Sequence, residues 1–190
     1  MADGNLTFEV VLSFWFSLDR PGRKDDEAVR AALGELCAQA LRAELKNWSE
    51  SPRPRLAQII LLDQVTRHIH RDRPEAYSGD SAAQVLTRRF LERGDWEGFT
   101  PRERYYALAP GLHAENLGLQ EQVYPLIEEL AREDESLASS AAISGLYRET
   151  IRRFGRFPHR NAILGRTSTE EEQRFLEQEW KERRRAAHVR

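Results

Sequence analysis

The sequence predicts an all-α protein assembled from antiparallel helical hairpins. Hydrophobic residues recur with a 3.6-residue period nearly everywhere, and no stretch alternates apolar and polar residues long enough for a strand. Proline, glycine and capping residues interrupt that period at helix-length intervals. A first helix runs from about Thr7 to Leu18 with Phe8, Val11, Trp15 and Leu18 on one stripe, and Asp19-Arg20-Pro21-Gly22 breaks it. The second opens on Asp25, Asp26 and Glu27, acids that suit a helix N-terminus, and turns Val29, Leu33, Leu36 and Ala40 inward. A third covers Pro54 to about His70, and a fourth, Asp80 to Arg93, stops at Gly94. Thr100-Pro101-Arg102-Glu103 is a capping box with proline at the first helical position, so a short helix starts there and ends before Pro110-Gly111. The next, Asn116 to Arg132, should kink at Pro125, and another, Ser136 to Phe154, ends at Gly155. Ser168 to Glu172 caps a last helix carrying Phe175 and Trp180. The expected organisation is a single helical domain over residues 1–180 and a frayed basic tail over 181–190.

Composition bounds the function. At 190 residues a compact fold hides roughly 70% of the surface of its unfolded chain, enough for an ordinary core. The single cysteine, Cys37, sits among Ala and Leu at helical spacing and reads as a buried core residue in a reducing compartment. The N-terminus has no basic leader before an apolar stretch, and no run approaches the roughly 18 apolar residues of a membrane span. The expected location is the cytoplasm, away from membranes. Twenty-nine basic against 31 acidic residues, a net charge of −2, argue against a general nucleic-acid binder.

Three stretches carry chemistry. On the third helix, Asp63, Arg67 and His70 share a face with Leu56, Ile59 and Ile60, which predicts a buried i,i+4 carboxylate–guanidinium pair. Such a pair can tie helices together or serve a site. Gln64 and His68 form a second polar pair beside it. Residues 150–169 contain five arginines and no acid, whereas residues 115–135 contain seven acids and one base. In Arg153-Phe154-Gly155-Arg156-Phe157-Pro158-His159-Arg160-Asn161, glycine ends a helix and proline keeps Phe157 extended, so a tight turn aims Arg156 and Arg160 together. Arginine forks bind carboxylate or phosphate bidentately, and a helix starting near Asn161 to Leu164 would add positive potential. The alternative is that these arginines clamp helix ends and the acidic segment. Finally, Pro110-Gly111-Leu112-His113-Ala114-Glu115 places an imidazole beside a carboxylate, the minimum apparatus for acid–base chemistry. No zinc, P-loop, dinucleotide or nucleophile-elbow motif is present, so neither a metal nor another cofactor is expected.

These motifs resemble the domain of unknown function 924 family over nearly the whole chain. Val11-Leu12-Ser13-Phe14-Trp15-Phe16 is similar to its opening V-L-x-F-W-F, Leu61 to His68 to its L-L-D-Q-F-P-R-N, and Pro110 to Glu121 to its P-L-x-H-S-E-x-x-x-x-Q-E element. Arg153 to Arg166 resembles its R-F-G-R-F-P-H-R-N-x-x-L-G-R signature in full. The chain departs from the pattern at Val65, Thr66, His68 and Ala114, and Tyr147 stands where the family usually has histidine. The resemblance implies a TPR-like right-handed helical array closed into one globular domain, and it implies no reaction. Two functions compete. In one, a central polar pocket binds a small carboxylate or phosphate, with His113, Glu115, His159 and Asp63 as acid–base groups and Arg67, Arg156, Arg160, Asn161 and Gln64 as ligand-binding groups. In the other, a TPR-like scaffold holds a protein or peptide partner, and the same residues lock its helices.

Overall fold

The computed structural model describes residues 4–19 and 21–188. Arg20 in the expected helix breaker and Arg190 in the expected tail lie outside the described residues. Among the described residues the chain is helical without strands, as the 3.6 period requires. It divides into two compact units, residues 1–98 and 99–190, a division that no linker-like composition announces.

In the first unit, α1 (Gly4–Ser17) packs on α3 (Pro52–Ile59), which also carries α5 (Asp80–Arg93). Between them, α2 (Asp26–Leu41) runs antiparallel to α4 (Thr66–Ile69) and the turn of π-helix, Ile60–Val65, that precedes α4. Asp26 reaches Arg71, Arg30 donates to the Ile69 carbonyl at 2.8 Å, and the Cys37 thiol meets the Leu61 carbonyl at 3.4 Å. Val11, Trp15, Val29, Leu33, Leu56, Ile59, Ile60, Leu61 and Phe90 are wholly buried in this core. Cys37 is buried as expected, and Leu36 only half-buried.

The expected third helix is present but not regular. The π turn from Ile60 to Val65 replaces i→i+4 by i→i+5 bonds, and such turns leave no mark in apolar periodicity. A close approach lies beside it: a Cβ on Gly79 would sit 2.2 Å from the Leu62 carbonyl oxygen. Backbone cannot step aside as a flexible side chain can. Gly79→Ala is therefore expected to destabilise the chain by about 1–3 kcal/mol in chemical denaturation, and an unchanged midpoint would contradict this packing.

In the second unit, α6 (Pro101–Leu112), α7 (Leu117–Glu133) and α8 (Ala138–Phe154) form successive antiparallel hairpins. Arg152 pairs with Glu121 while Arg148 lies over Tyr124, so α8 descends as α7 rises. The Thr100–Glu103 capping box forms as predicted. One proline expectation is corrected. The helix α6 continues through Pro110 to Leu112, where Gly111 lets it close on Val123; α7, as expected, carries Pro125 inside one helix. Packing along these faces outweighs the lost backbone bond. After α9 (Glu170–Phe175), capped by Thr169 rather than Ser168, a π turn at Leu176–Trp180 leads into α10 (Lys181–His188). Residues 181–188 pack antiparallel on α8, with Arg183 paired to Glu149 and Ala187 buried.

Candidate functional site

The arginine-rich turn lies in the second unit and starts where α8 ends on Gly155, whose φ of 69° is the left-handed conformation glycine favours. Phe157 is extended before Pro158, and Pro158–Arg160 make one 3-10 turn. Residues 161–165 are turns and not the helix start expected at Asn161 to Leu164, so no helix N-terminus adds potential there.

Two acids shape this turn. Glu172 accepts both Arg156 Nε at 2.6 Å and Arg156 Nη2 at 2.8 Å, and also the Thr169 N–H at 2.8 Å as part of the α9 capping box. These bonds, Arg156 foremost, outweigh burial and hold the Glu172 carboxyl at about 2. Arg156 donates further to the Thr167 carbonyl at 2.9 Å. Glu115 accepts Arg166 through two bonds of 2.6 and 2.9 Å and the Phe157 N–H at 2.7 Å. Burial would push its carboxyl up, but Arg166 and the Phe157 N–H prevail and hold it below the usual range. Asn161 joins the two halves: its amide donates to Ser168 Oγ at 3.0 Å and Glu172 at 3.3 Å, and its oxygen accepts Arg166 Nε at 2.9 Å.

These geometries redistribute the roles expected from sequence. Arg156 and Asn161 brace the turn through Glu172 and Arg166, and Glu115 accepts Arg166 and the Phe157 N–H. Arg152 and Arg153 likewise pair with Glu121, Glu171 and Glu179. His159 differs. The His159 ring stacks on Trp180 at 4.4 Å and 12°, with Phe157 at 5.3 Å and Tyr147 at 6.3 Å. Its buried Nδ1 has no hydrogen-bond partner among the described residues. Burial first, then the Arg160 charge, lowers its pKa to about 3, so the imidazole is neutral in neutral solution. Arg160 is buried with its guanidinium 4.4 Å over Phe157.

His113 caps α6, 6.2 Å from the Tyr147 ring, so Tyr147 neighbours both histidines. Buried Gln120 fixes that segment by donating to the Leu112 and Ala114 carbonyls at 2.9 and 2.8 Å. Sequence reasoning had assigned no site role to Gln120, Tyr147, Arg166, Glu172 or Trp180. Glu172 and Gln120 were visible in the capping box and the Pro110–Glu121 element; the aromatic wall emerges only when helices distant in sequence meet.

The first unit holds Asp63, Gln64 and Arg67. Asp63 is fully buried on the π turn and 3.1 Å from Arg67, which lies 2.8 Å from Asp80 and 5.7 Å from the Tyr77 ring centre. Burial would lower the Arg67 pKa; Asp63 and Asp80 outweigh it and keep the guanidinium charged. Gln64 donates to Asp63 and not toward His68. His68 instead meets Asp26 at 2.8 Å, and Arg71 takes the same carboxylate through two 2.6 Å bonds. No group of three or more His, Cys, Asp or Glu among the described residues is placed to hold a metal ion.

Fold and geometry thus define an all-helical protein in which a carboxylate-braced arginine turn supports a histidine within an aromatic wall. The chain belongs to the family of bacterial proteins of unknown function termed DUF924, whose model matches residues 9–179. It is similar to the solved structure of a protein of unknown function, ATU0120 from Agrobacterium tumefaciens, at 28% identity and a TM-score of 0.82, covering 92% of this chain and 99% of that one. A search of curated proteins finds no match. Among the described residues, no helix is long and apolar enough to cross a membrane.

Proposed function

We propose that the protein binds a small carboxylate or phosphate that also carries a flat, apolar part, at the His159 wall of the second unit. The observation that carries this reading is the buried, open Nδ1 of a half-buried, neutral His159, because buried polar atoms are seldom left without a partner unless a ligand or water supplies one. Trp180, Phe157 and Tyr147 offer the apolar part a stacking surface, and Arg160 supplies the charge for the anion. An imidazole with a pKa of about 3 is too weak a base to take protons at neutral pH. Its role is to orient or polarise a bound carbonyl or phosphoryl oxygen. Any proton transfer then falls to His113. Asp63, Gln64 and Arg67 enter this reading as a structural cluster of the first unit. Burial pushes the Cys37 thiol up to about 12, which keeps it inert; we place the protein in the reducing cytoplasm.

A second reading, a TPR-like scaffold for a protein partner, draws support from the pairing of Arg152, Arg153, Arg156 and Arg166 with acids of the same chain. A thermal-shift screen of aromatic carboxylates, nucleotides and sugar phosphates separates the two. At 100 times its dissociation constant a true ligand stabilises by about 2.7 kcal/mol, and His159→Phe should remove that shift. If no member of such a panel stabilises the chain while a protein partner does, the scaffold reading replaces the first.

A further inference from the structure

We propose that a surface cleft between α7, α8 and α10 is a second binding site, one for a small organic anion whose carboxylate or phosphate is received by Arg148. The cleft encloses about 530 Å³, within the range small-molecule sites occupy. Its lining combines Tyr124, Glu149 and Arg183 with the small residues Ala141, Ala142, Gly145 and Ala187, which leave the space open.

The three arginines that line it are not equivalent. Arg152 pairs with Glu121 at 2.8 Å, and Arg183 takes Glu149, one bond being 3.1 Å. Arg148 forms no ion pair among the described residues, and its buried Nε has no hydrogen-bond partner. Its guanidinium carbon lies 3.8 Å from the Tyr124 ring centre. Stacking on an aromatic face fixes the plane of the guanidinium but satisfies none of its N–H groups. The two Nη groups, unlike the buried Nε, remain to grip a carboxylate or phosphate through paired bonds. The Tyr124 hydroxyl is committed to Glu128 at 2.7 Å, so the ring is held in place as a platform. An ordinary surface arginine would keep its Nε in water.

At 100° per residue, Gly145, Arg148 and Arg152 lie on the side of α8 opposite Tyr147, so this site is independent of the His159 wall. Gly145 supplies a clean probe of the space. A Cβ there would come no closer than 3.5 Å to Tyr124, an ordinary contact, so a larger side chain fits the fold and fills the cleft.

The test is titration of benzoate, phenyl phosphate and inorganic phosphate into the full chain, followed by amide chemical shifts. Benzoate or phenyl phosphate should shift residues 141–149 and 183–187 saturably, with inorganic phosphate weaker because it has no apolar part to set against the alanines of the lining. Arg148→Ala should weaken binding at least about tenfold, and Gly145→Leu should abolish it with the helical circular dichroism unchanged. His159→Phe should leave it intact. Equal affinity in Arg148→Ala and the parent, retained binding in Gly145→Leu, or no saturable shift of these amides by any of the three anions would overturn the proposal.

Discussion

Asp63→Ala is expected to destabilise the protein by about 3–5 kcal/mol, the range found when one member of a buried ion pair is removed and the other is left behind. Asp63 is fully buried, and the guanidinium it faces, Arg67, is about one-fifth exposed. The lower half of the range is therefore the better expectation. Asp63 also braces Gln64 on a π turn whose geometry has few alternatives. Replacing Asp63 and Arg67 together by Leu and Met should restore little of the loss, because Arg67 also faces the buried Asp80 carboxylate at 2.8 Å, which would lose that guanidinium. Urea denaturation of the single and double variants measures both values. A single variant within about 1 kcal/mol of the parent would remove the pair from the structural account.

The second large effect is acid sensitivity centred on His159. The imidazole titrates near 6.5 in an unfolded chain and at about 3 in the fold. Between those values the unfolded state binds the extra proton, so stability falls as pH drops through the window and is fully present only above it. The linkage gives a loss on the order of 3 kcal/mol between pH 7 and pH 4. Glu172 acts lower. Held at about 2 chiefly by Arg156, it contributes stability that is present above the ordinary glutamate range and disappears as pH falls toward 2. His159→Phe should flatten the stability profile between pH 6.5 and 4 while leaving the Glu172 component untouched. A variant that loses stability with acid as steeply as the parent would show that the fold does not hold His159 neutral.

Helix periodicity alone located most of the fold. Phe8, Val11 and Trp15, or Val29, Leu33 and Ala40, bury as their spacing demands, and the Thr100–Glu103 box starts its helix where the residue types require. The π turns at Ile60–Val65 and Leu176–Trp180 escaped detection because one extra residue in a turn shifts the stripe without breaking it. Pro110 misled for a different reason: a local rule about proline yields when Gly111 and Val123 interlock. At the candidate site, the residue types were legible and their partners were not. The pairing of Asp63 with Arg67 follows from i,i+4 spacing, whereas Glu115 with Arg166 spans 51 residues and depends on how α6, α7 and the arginine turn meet. The same holds for Tyr147 and Trp180, which approach His159 only because α8 and the last helices run side by side.

The most direct test of the proposed ligand site is histidine-selective ¹⁵N NMR at pH 7 with the stabilising anions from the thermal-shift screen. His159 should report a neutral ring in the free protein, and its Nδ1 resonance should move on binding as that nitrogen gains a partner, with His113 responding through Tyr147 and His68 in the first unit unaffected. A protonated His159 in the free protein, or an Nδ1 resonance that stays fixed while stabilising anions saturate the chain, would contradict the account.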